Sequence, residues 1–311
     1  MTGVQTCALP IGDLVLVQKQ QVANKGEIVV ALIGGGQEIN TGEAGLPEWF
    51  ASLRRSFNHW RVCYSDQIEG EEYTQDQPLV HHLNGLKAEP DHSLHLGVSV
   101  RSFRAEKLSA FVGCVINNQA DQALILYNAI KDVYPITLTR DLHAARTWLL
   151  QHARGGELYG LVASSGANRL KPEGINIKAK IKPAEWFLNG KQDVRSCQYL
   201  EDVATEFDIQ GLELDWAGVC WDADFRYVFD SNGTGNWSLN KFTGTTWKKV
   251  NSESRQRYLA NACRVLLTRA RQGMVIYVPE GNDEDLTRIT EYYDGIYNSV
   301  KACGVVSVGS D

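Results

Sequence analysis

"CRVLLTRARQGMVIYV", Cys263 to Val278, joins two kinds of segment and places two arginines, Arg269 and Arg271, in the joint. Upstream of it, "RQRYLANACRVLL" carries Tyr258, Leu259, Ala262 and Leu266 at the spacing of one helix face. Downstream, "GMVIYVP" is an unbroken apolar run, which suits a strand covered on both faces of a parallel sheet. A helix feeding straight into such a strand is half of an α/β repeat. The fold then depends on whether the same alternation recurs.

It recurs along most of the chain. "YPITLT", "ELYGLVASS" and "GLELDWAGVCW" read as strands. Helical patterns occupy about 105–117 and 119–131, and "DLHAARTWLLQHA" aligns Leu142, Ala145 and Leu149 behind Asp141 as a cap. "DEDLTRITEYYDGIYNSVKAC" reads as a last helix. Nearer the start, "EIVVALIGGGQEINTGEAG" reads as a buried strand entering a glycine loop. A helix with Trp49, Leu53 and Phe57 on one face follows, then a short strand, "RVCYS". Strands alternating with helices predict an α/β chain with a doubly wound parallel sheet.

The expected organisation is a short α/β region over 12–66, an acidic, polar linker over 67–92 and a larger α/β domain over 93–311. Segments 169–195 and 226–250 break the rhythm and read as insertions over a sheet edge, the second as a β-hairpin. The first is rich in lysine and could lie against a phosphate backbone; the plainer reading is a solvated loop. The first eleven residues, "MTGVQTCALPI", resemble a translated sequencing-library adapter, so they are expected to be an artefact with natural sequence lost upstream.

Composition excludes several classes. The chain has 311 residues, 43% of them hydrophobic, enough for two globular domains. A net charge of −6 provides no general attraction to nucleic acid or acidic membranes, though a local basic groove remains compatible with it. Seven scattered cysteines without a CxxC pair read as reduced thiols, hence an expected cytoplasmic location. No apolar run reaches the roughly 20 residues of a membrane helix.

Four positions carry possible chemistry. Gln37 follows Gly34–Gly36 at a strand end, where a glutamine can hydrogen-bond a phosphate or an attacking water; a tight glycine turn explains the same residues. Arg101 in "GVSVRSFRA" can pair bidentately with phosphate oxygens or with a surface carboxylate. In "DIQGLELDW", Gln210 precedes Gly211, which permits close backbone approach to a ligand, and Glu213 can accept from ribose hydroxyls; here the binding reading outweighs a turn glycine and an edge acid. Arg269, at a helix end, is either a dipole-stabilising cation or an arginine that stabilises charge in phosphoryl transfer. No phosphate loop GxxxxGK[ST] occurs in the chain: the sole Gly-Lys, Gly190-Lys191, lacks the rest of the motif.

The order of these elements is more specific than any one of them. A glycine loop with Gln, then Val-Arg-Ser, then Gln-Gly-Leu-Glu, then Leu-Thr-Arg-Ala resembles the C-terminal motif series of superfamily one helicases. The strings "GGGQEINTGEAGL", "SVRSFRAEKLSAFV", "LVASSGANRLKPEG", "VATEFDIQGLELDW" and "VLLTRARQGMVIYVP" resemble the Schlafen group 3-like DNA/RNA helicase domain family over about 26–304. That resemblance implies a RecA-like parallel sheet of the P-loop NTPase type, nearly complete over 93–311 and reduced to a remnant over 12–66. It implies ATP and Mg²⁺ for the full protein, with DNA or RNA as partner.

By motif match, Gln37 would couple γ-phosphate status to nucleic acid. Arg101 and Arg269 would face the γ-phosphate, with Arg271 as a possible second finger. Gln210, Gly211 and Glu213 would meet the nucleotide. Thr139, Arg140, Ser165 and Arg169, at strand ends, are a weaker implication for backbone contacts to nucleic acid. The phosphate loop and the Asp-Glu strand that would hold Mg²⁺ are absent, so the chain alone is expected to lack ATPase activity. The rival expectations are a non-hydrolysing nucleic-acid-binding scaffold and a module that delivers substrate to an upstream nuclease.

Overall fold

The computed structural model describes residues 29–30, 45–66, 68, 78–94 and 103–309. The chain divides into two compact units, Met1–Val100 and Arg101–Asp311.

In the first unit, helix α1 (Gly45–Ser56) buries Leu46 and Phe50, one turn apart, while Trp49, Leu53 and Phe57 stay half-buried. The buried stripe is therefore rotated by one position from the expected one. Strand β1 (Arg61–Tyr64) pairs in parallel with β2 (Lys87–Pro90), and α2 (Leu79–Leu83) lies between them in sequence. The described part of the segment read as a linker thus carries a helix and a strand. Its sequence, "KAEP", gives no apolar signal because the strand is largely exposed. Val29 and Val30, the described residues of the expected strand before the glycine loop, are 49% and 80% exposed and have no regular structure.

The second unit is built on six parallel strands. They are β3 (Ile136–Thr139), β4 (Tyr159–Ala163), β5 (Val203–Ala204), β6 (Leu214–Cys220), β10 (Ala270–Tyr277) and β11 (Val306–Ser307). The spatial order is β11–β3–β10–β6–β4–β5. Every residue of β6 is buried, as expected for a central strand covered on both sides. Six helices accompany the sheet: α3 (Phe103–Ile116), α4 (Ala120–Ile130), α5 (Leu142–His152), α6 (Pro183–Leu188), α7 (Glu253–Leu267) and α8 (Thr290–Ala302). This is the α/β architecture of a RecA-like domain.

Side chains alternate along the strands between two cores. Ile136, Leu138, Val162, Val219, Met274 and Ile276 join the layer of α3, α4, α7 and α8. Tyr159, Leu161, Trp216, Val275 and Tyr277 join α5, which supplies Ala145, Trp148 and Leu149. Asp141 caps α5, its carboxylate accepting from the His143 N–H at 2.8 Å. The last helix begins only at Thr290, because Asp283 and Asp285 take the Thr290 and Thr287 N–H groups into turns that compete with helix.

The two segments that break the rhythm have structure of their own. Strands β7 (Phe225–Phe229), β8 (Gly235–Thr243) and β9 (Thr246–Lys249) form an antiparallel sheet, one hairpin longer than the sequence suggested. The lysine-rich segment holds a 3-10 turn, Asn168–Glu173, and α6. It is anchored by Trp186, which is 1% exposed and donates its Nε1–H to Asp202 O at 3.2 Å. Among the described residues, no helix is long and apolar enough to cross a membrane.

Candidate functional site

A parallel sheet has two chemically distinct edges, and the sequence-predicted residues divide between them. At the N-terminal edge, β6 and β10 run side by side. The Leu214 N–H donates to Arg269 O at 3.1 Å, and Leu214 is in register with Ala270. Gln210, Gly211 and Glu213 lead into β6; Arg269 leads into β10. Residues 56 or more apart in sequence thus meet at adjacent strand starts. Gly211 has φ +83°, a left-handed conformation that favours glycine, and the space beside its Cα is open. Gln210 is exposed and Glu213 half-buried. Arg269 is only 4% exposed.

Arg271 is placed differently. A register shift between Ala270 and Gly273 inserts one extra residue into β10 opposite β6. Such a bulge re-aims side chains. Here it turns Arg271 onto Asp215, Nη2 to Oδ1 at 2.8 Å, with the arginine side chain 57% exposed. The other Asp215 oxygen accepts from Leu158 N–H at 2.8 Å. Gln272 Nε2 donates to Glu157 at 2.8 Å, and Glu157 also accepts from Trp216 Nε1 at 2.9 Å. The bond from Trp216 first, then one from the Arg154 N–H at 2.9 Å and that from Gln272, hold the Glu157 carboxyl down at about 2. The network ties the starts of β4, β6 and β10 together. Nothing in the sequence foretells this role for Asp215, because the bulge is invisible in sequence.

The C-terminal edge carries the other candidates. Thr139 is fully buried, its hydroxyl accepting from the Asp141 N–H at 3.1 Å. Arg140 donates to Pro279 O at 2.8 Å, pairs with Asp294 at 2.5 Å and lies 4.2 Å over the Tyr297 ring. Ser165 gives both its N–H and its hydroxyl to Glu206, at 2.8 and 2.6 Å. These three are occupied by internal partners. Arg169 pairs with Asp285 at 2.6 Å and lines an open pocket with Asn168, Lys171 and Phe242.

Behind this rim is a cluster that sequence reasoning missed. Asp222, Asp224 and Glu206 are 1%, 3% and 2% exposed. Ser164 Oγ donates to Asp224 at 2.6 Å, Tyr293 Oη to Asp222 at 2.9 Å, and the Arg169 N–H to Asp222 at 2.8 Å. Burial raises all three carboxyls above their ordinary values, and the Asp222 charge raises Asp224 further. Gly166 has no room for a side chain: a Cβ there would lie 2.6 Å from Asp224 Oδ2. Asp222 and Asp224, just beyond an apolar strand, were the available signal; nothing local marks Glu206.

Among the described residues, no group of three or more His, Cys, Asp or Glu side chains is arranged to hold a metal ion. Gln37 and Arg101 lie outside the described residues. The family model described as Schlafen group 3, DNA/RNA helicase domain matches residues 17–280. No curated protein and no solved structure matches the chain.

Proposed function

The chain belongs to the Schlafen group 3 DNA/RNA helicase domain family, and from that premise we propose that it is part of an ATP-driven motor acting on DNA or RNA. One observation carries the reading: Gln210–Glu213 and Arg269, distant in sequence, meet at the starts of β6 and β10, joined by the Leu214 N–H to Arg269 O bond of 3.1 Å. Gly211 leaves its backbone open to a phosphate, and Glu213 accepts from ribose hydroxyls. Arg269 stabilises charge on the γ-phosphoryl group; motif positions imply the same role for Arg101 and, for Gln37, the reporting of its loss. Because Arg269 is 4% exposed, this role requires its guanidinium to be uncovered when nucleotide arrives.

At the opposite edge, Arg169 meets the nucleic-acid backbone. Thr139, Arg140 and Ser165, tied to internal partners, act there by holding the shape of the rim. The 311-residue chain, lacking GxxxxGK[ST], does not by itself hydrolyse ATP.

The test is nucleic-acid-stimulated ATP hydrolysis by the protein expressed from its genomic locus. Arg269→Ala is expected to lower the rate by about 10³-fold or more, the usual scale for such an arginine. Arg271→Ala, which breaks a half-exposed pair, is expected to lower it by about tenfold at most. Absent hydrolysis in the wild type, or full activity in Arg269→Ala, overturns the motor. The burial of Arg269 favours a second reading, a non-hydrolysing scaffold. It predicts nucleic-acid binding with no hydrolysis in the same experiment.

A further inference from the structure

The two segments that interrupt the α/β rhythm meet at one pocket, of about 280 Å³. Asn168, Arg169, Lys171, Asn176 and Lys178 come from the lysine-rich segment and its lead-in; Phe242 and Gly244 come from the β8–β9 hairpin. Ile175, 1% exposed, and Ile177 complete the lining. Among the described residues, three cations and no carboxylate line it.

The polar groups are set in complementary states. Asn168 gives one of its two amide N–H groups to Gly166 O at 3.0 Å, which leaves its carbonyl oxygen and the other N–H for a ligand. Asn176 accepts the Lys178 N–H at 3.3 Å, which leaves its NH₂ to donate. Lys171 and Lys178 are exposed, and neither forms an ion pair with a described residue. Arg169 is held in place by Asp285 at 2.6 Å and lies 5.3 Å over Phe242. Its buried Nε has no hydrogen-bond partner.

An aromatic ring, an apolar floor, amide donors and an amide acceptor, and two exposed lysines match the parts of one nucleotide: a base, its hydrogen-bonding edge and its phosphates. The pocket's volume is ample for a single base. Resting on the nucleic-acid reading above, we infer that this pocket receives an unpaired nucleotide of a single strand. The base sits against Phe242 and the isoleucines, with Asn168 and Asn176 at its edge. The adjoining phosphates lie on Lys171 and Lys178. A base in a duplex is already stacked and paired, so only an unpaired one can enter.

The experiment is fluorescence anisotropy of the 311-residue chain with a 20-nucleotide pyrimidine strand, DNA and RNA in turn, across a salt series. Duplexes of the same sequence and inorganic phosphate serve as competitors. The wild type is expected to prefer the single strand by at least about tenfold, and phosphate at millimolar concentration to compete poorly. The double variant Lys171→Gln/Lys178→Gln is expected to lower affinity and to reduce the slope of log K against log salt by about 1.4, since each single-strand phosphate contact contributes about 0.7. Phe242→Leu preserves apolar bulk but removes the ring. It is expected to weaken binding by about tenfold with the slope unchanged. Unaltered strand binding in both variants overturns the pocket assignment, and so does equal loss on strand and duplex. Competition by inorganic phosphate as effective as that by the strand reduces the site to an anion site and overturns it too. If the wild type binds no nucleic acid at all, the underlying functional reading fails first.

Discussion

The two edges of the six-stranded sheet handle charge in opposite ways. At the N-terminal edge, Asp215 and Glu157 are matched by Arg271, Gln272, Trp216 and backbone N–H groups, and the matching holds the Glu157 carboxyl below its ordinary value. At the C-terminal edge, Asp222, Asp224 and Glu206 are sealed in, and burial favours their protonated forms despite the hydroxyls that reach them. Asp215 is itself buried, but its partner Arg271 is 57% exposed and Glu157 is half-buried, so this network opens onto solvent. A desolvated one is coupled tightly to the fold. The contrast suggests that the N-terminal edge can exchange partners with a ligand, whereas the C-terminal rim is a rigid platform under the pocket of Arg169 and Phe242.

The sharpest way to break this comparison is one arginine deletion at each edge. Arg288, 6% exposed, pairs with Glu173 and faces Asp222 and Tyr293. Arg288→Ala removes a buried cation that Glu173 and Tyr293 face, and is expected to destabilise the unit by about 3 kcal/mol in urea unfolding. Arg271→Ala breaks a pair whose arginine is 57% exposed, and is expected to cause less than about 1 kcal/mol. Equal losses would show that the edges do not differ.

Gly166→Ala and Gly211→Ala compare the edges sterically. At Gly166 the added Cβ meets Asp224 at 2.6 Å, so a loss of about 2 kcal/mol is expected, with Asp224 displaced. At Gly211 there is open space but φ is +83°, so only a backbone penalty of about 1 kcal/mol is expected. Chemical denaturation of both variants ranks them.

The pH dependence should also separate the edges. Asp224 has a raised folded value, so above the ordinary carboxylate range the folded state keeps a proton that the unfolded chain has released. Stability therefore falls as pH rises through that interval, and Asp224→Asn should flatten the fall. Glu157 has the opposite sign. Its folded value, about 2, is below the ordinary 4.5, so its contribution is present above 4.5 and lost as pH falls towards 2. Glu157 is half-buried and within reach of solvent, so Glu157→Gln should change the acid limb by the smallest amount of the set. Thermal melts from pH 3 to 9 check both signs; a Glu157→Gln effect on the alkaline limb would contradict the assignment.

Much of the architecture was legible because parallel strands sheathed on both faces need continuous apolar sequence. "LDWAGVC" and "GMVIY" could hardly be anything else, and Asp141 announced its helix by a local cap. β2 was not legible, since an exposed "KAEP" strand needs no apolar residue. The start of α8 was misread because Asp283 and Asp285 sit within an amphipathic pattern yet bind backbone N–H groups ahead of it. Of the candidate site, Gln210, Gly211, Glu213 and Arg269 were visible as motifs. The Arg271–Asp215 pairing was not, because it depends on a bulge in β10 against a strand more than fifty residues away.

Sequence alone determined most of the strands and helices of the larger unit, the absence of a phosphate loop, and the family, because periodicity, composition and motif order are properties of neighbours in the chain. Tertiary structure alone decided the strand order, which arginine is covered and which is exposed, which carboxylates are desolvated, and that two interruptions close one pocket. Those depend on which distant segments exclude water from one another, and burial and charge pairing arise only once the chain has folded.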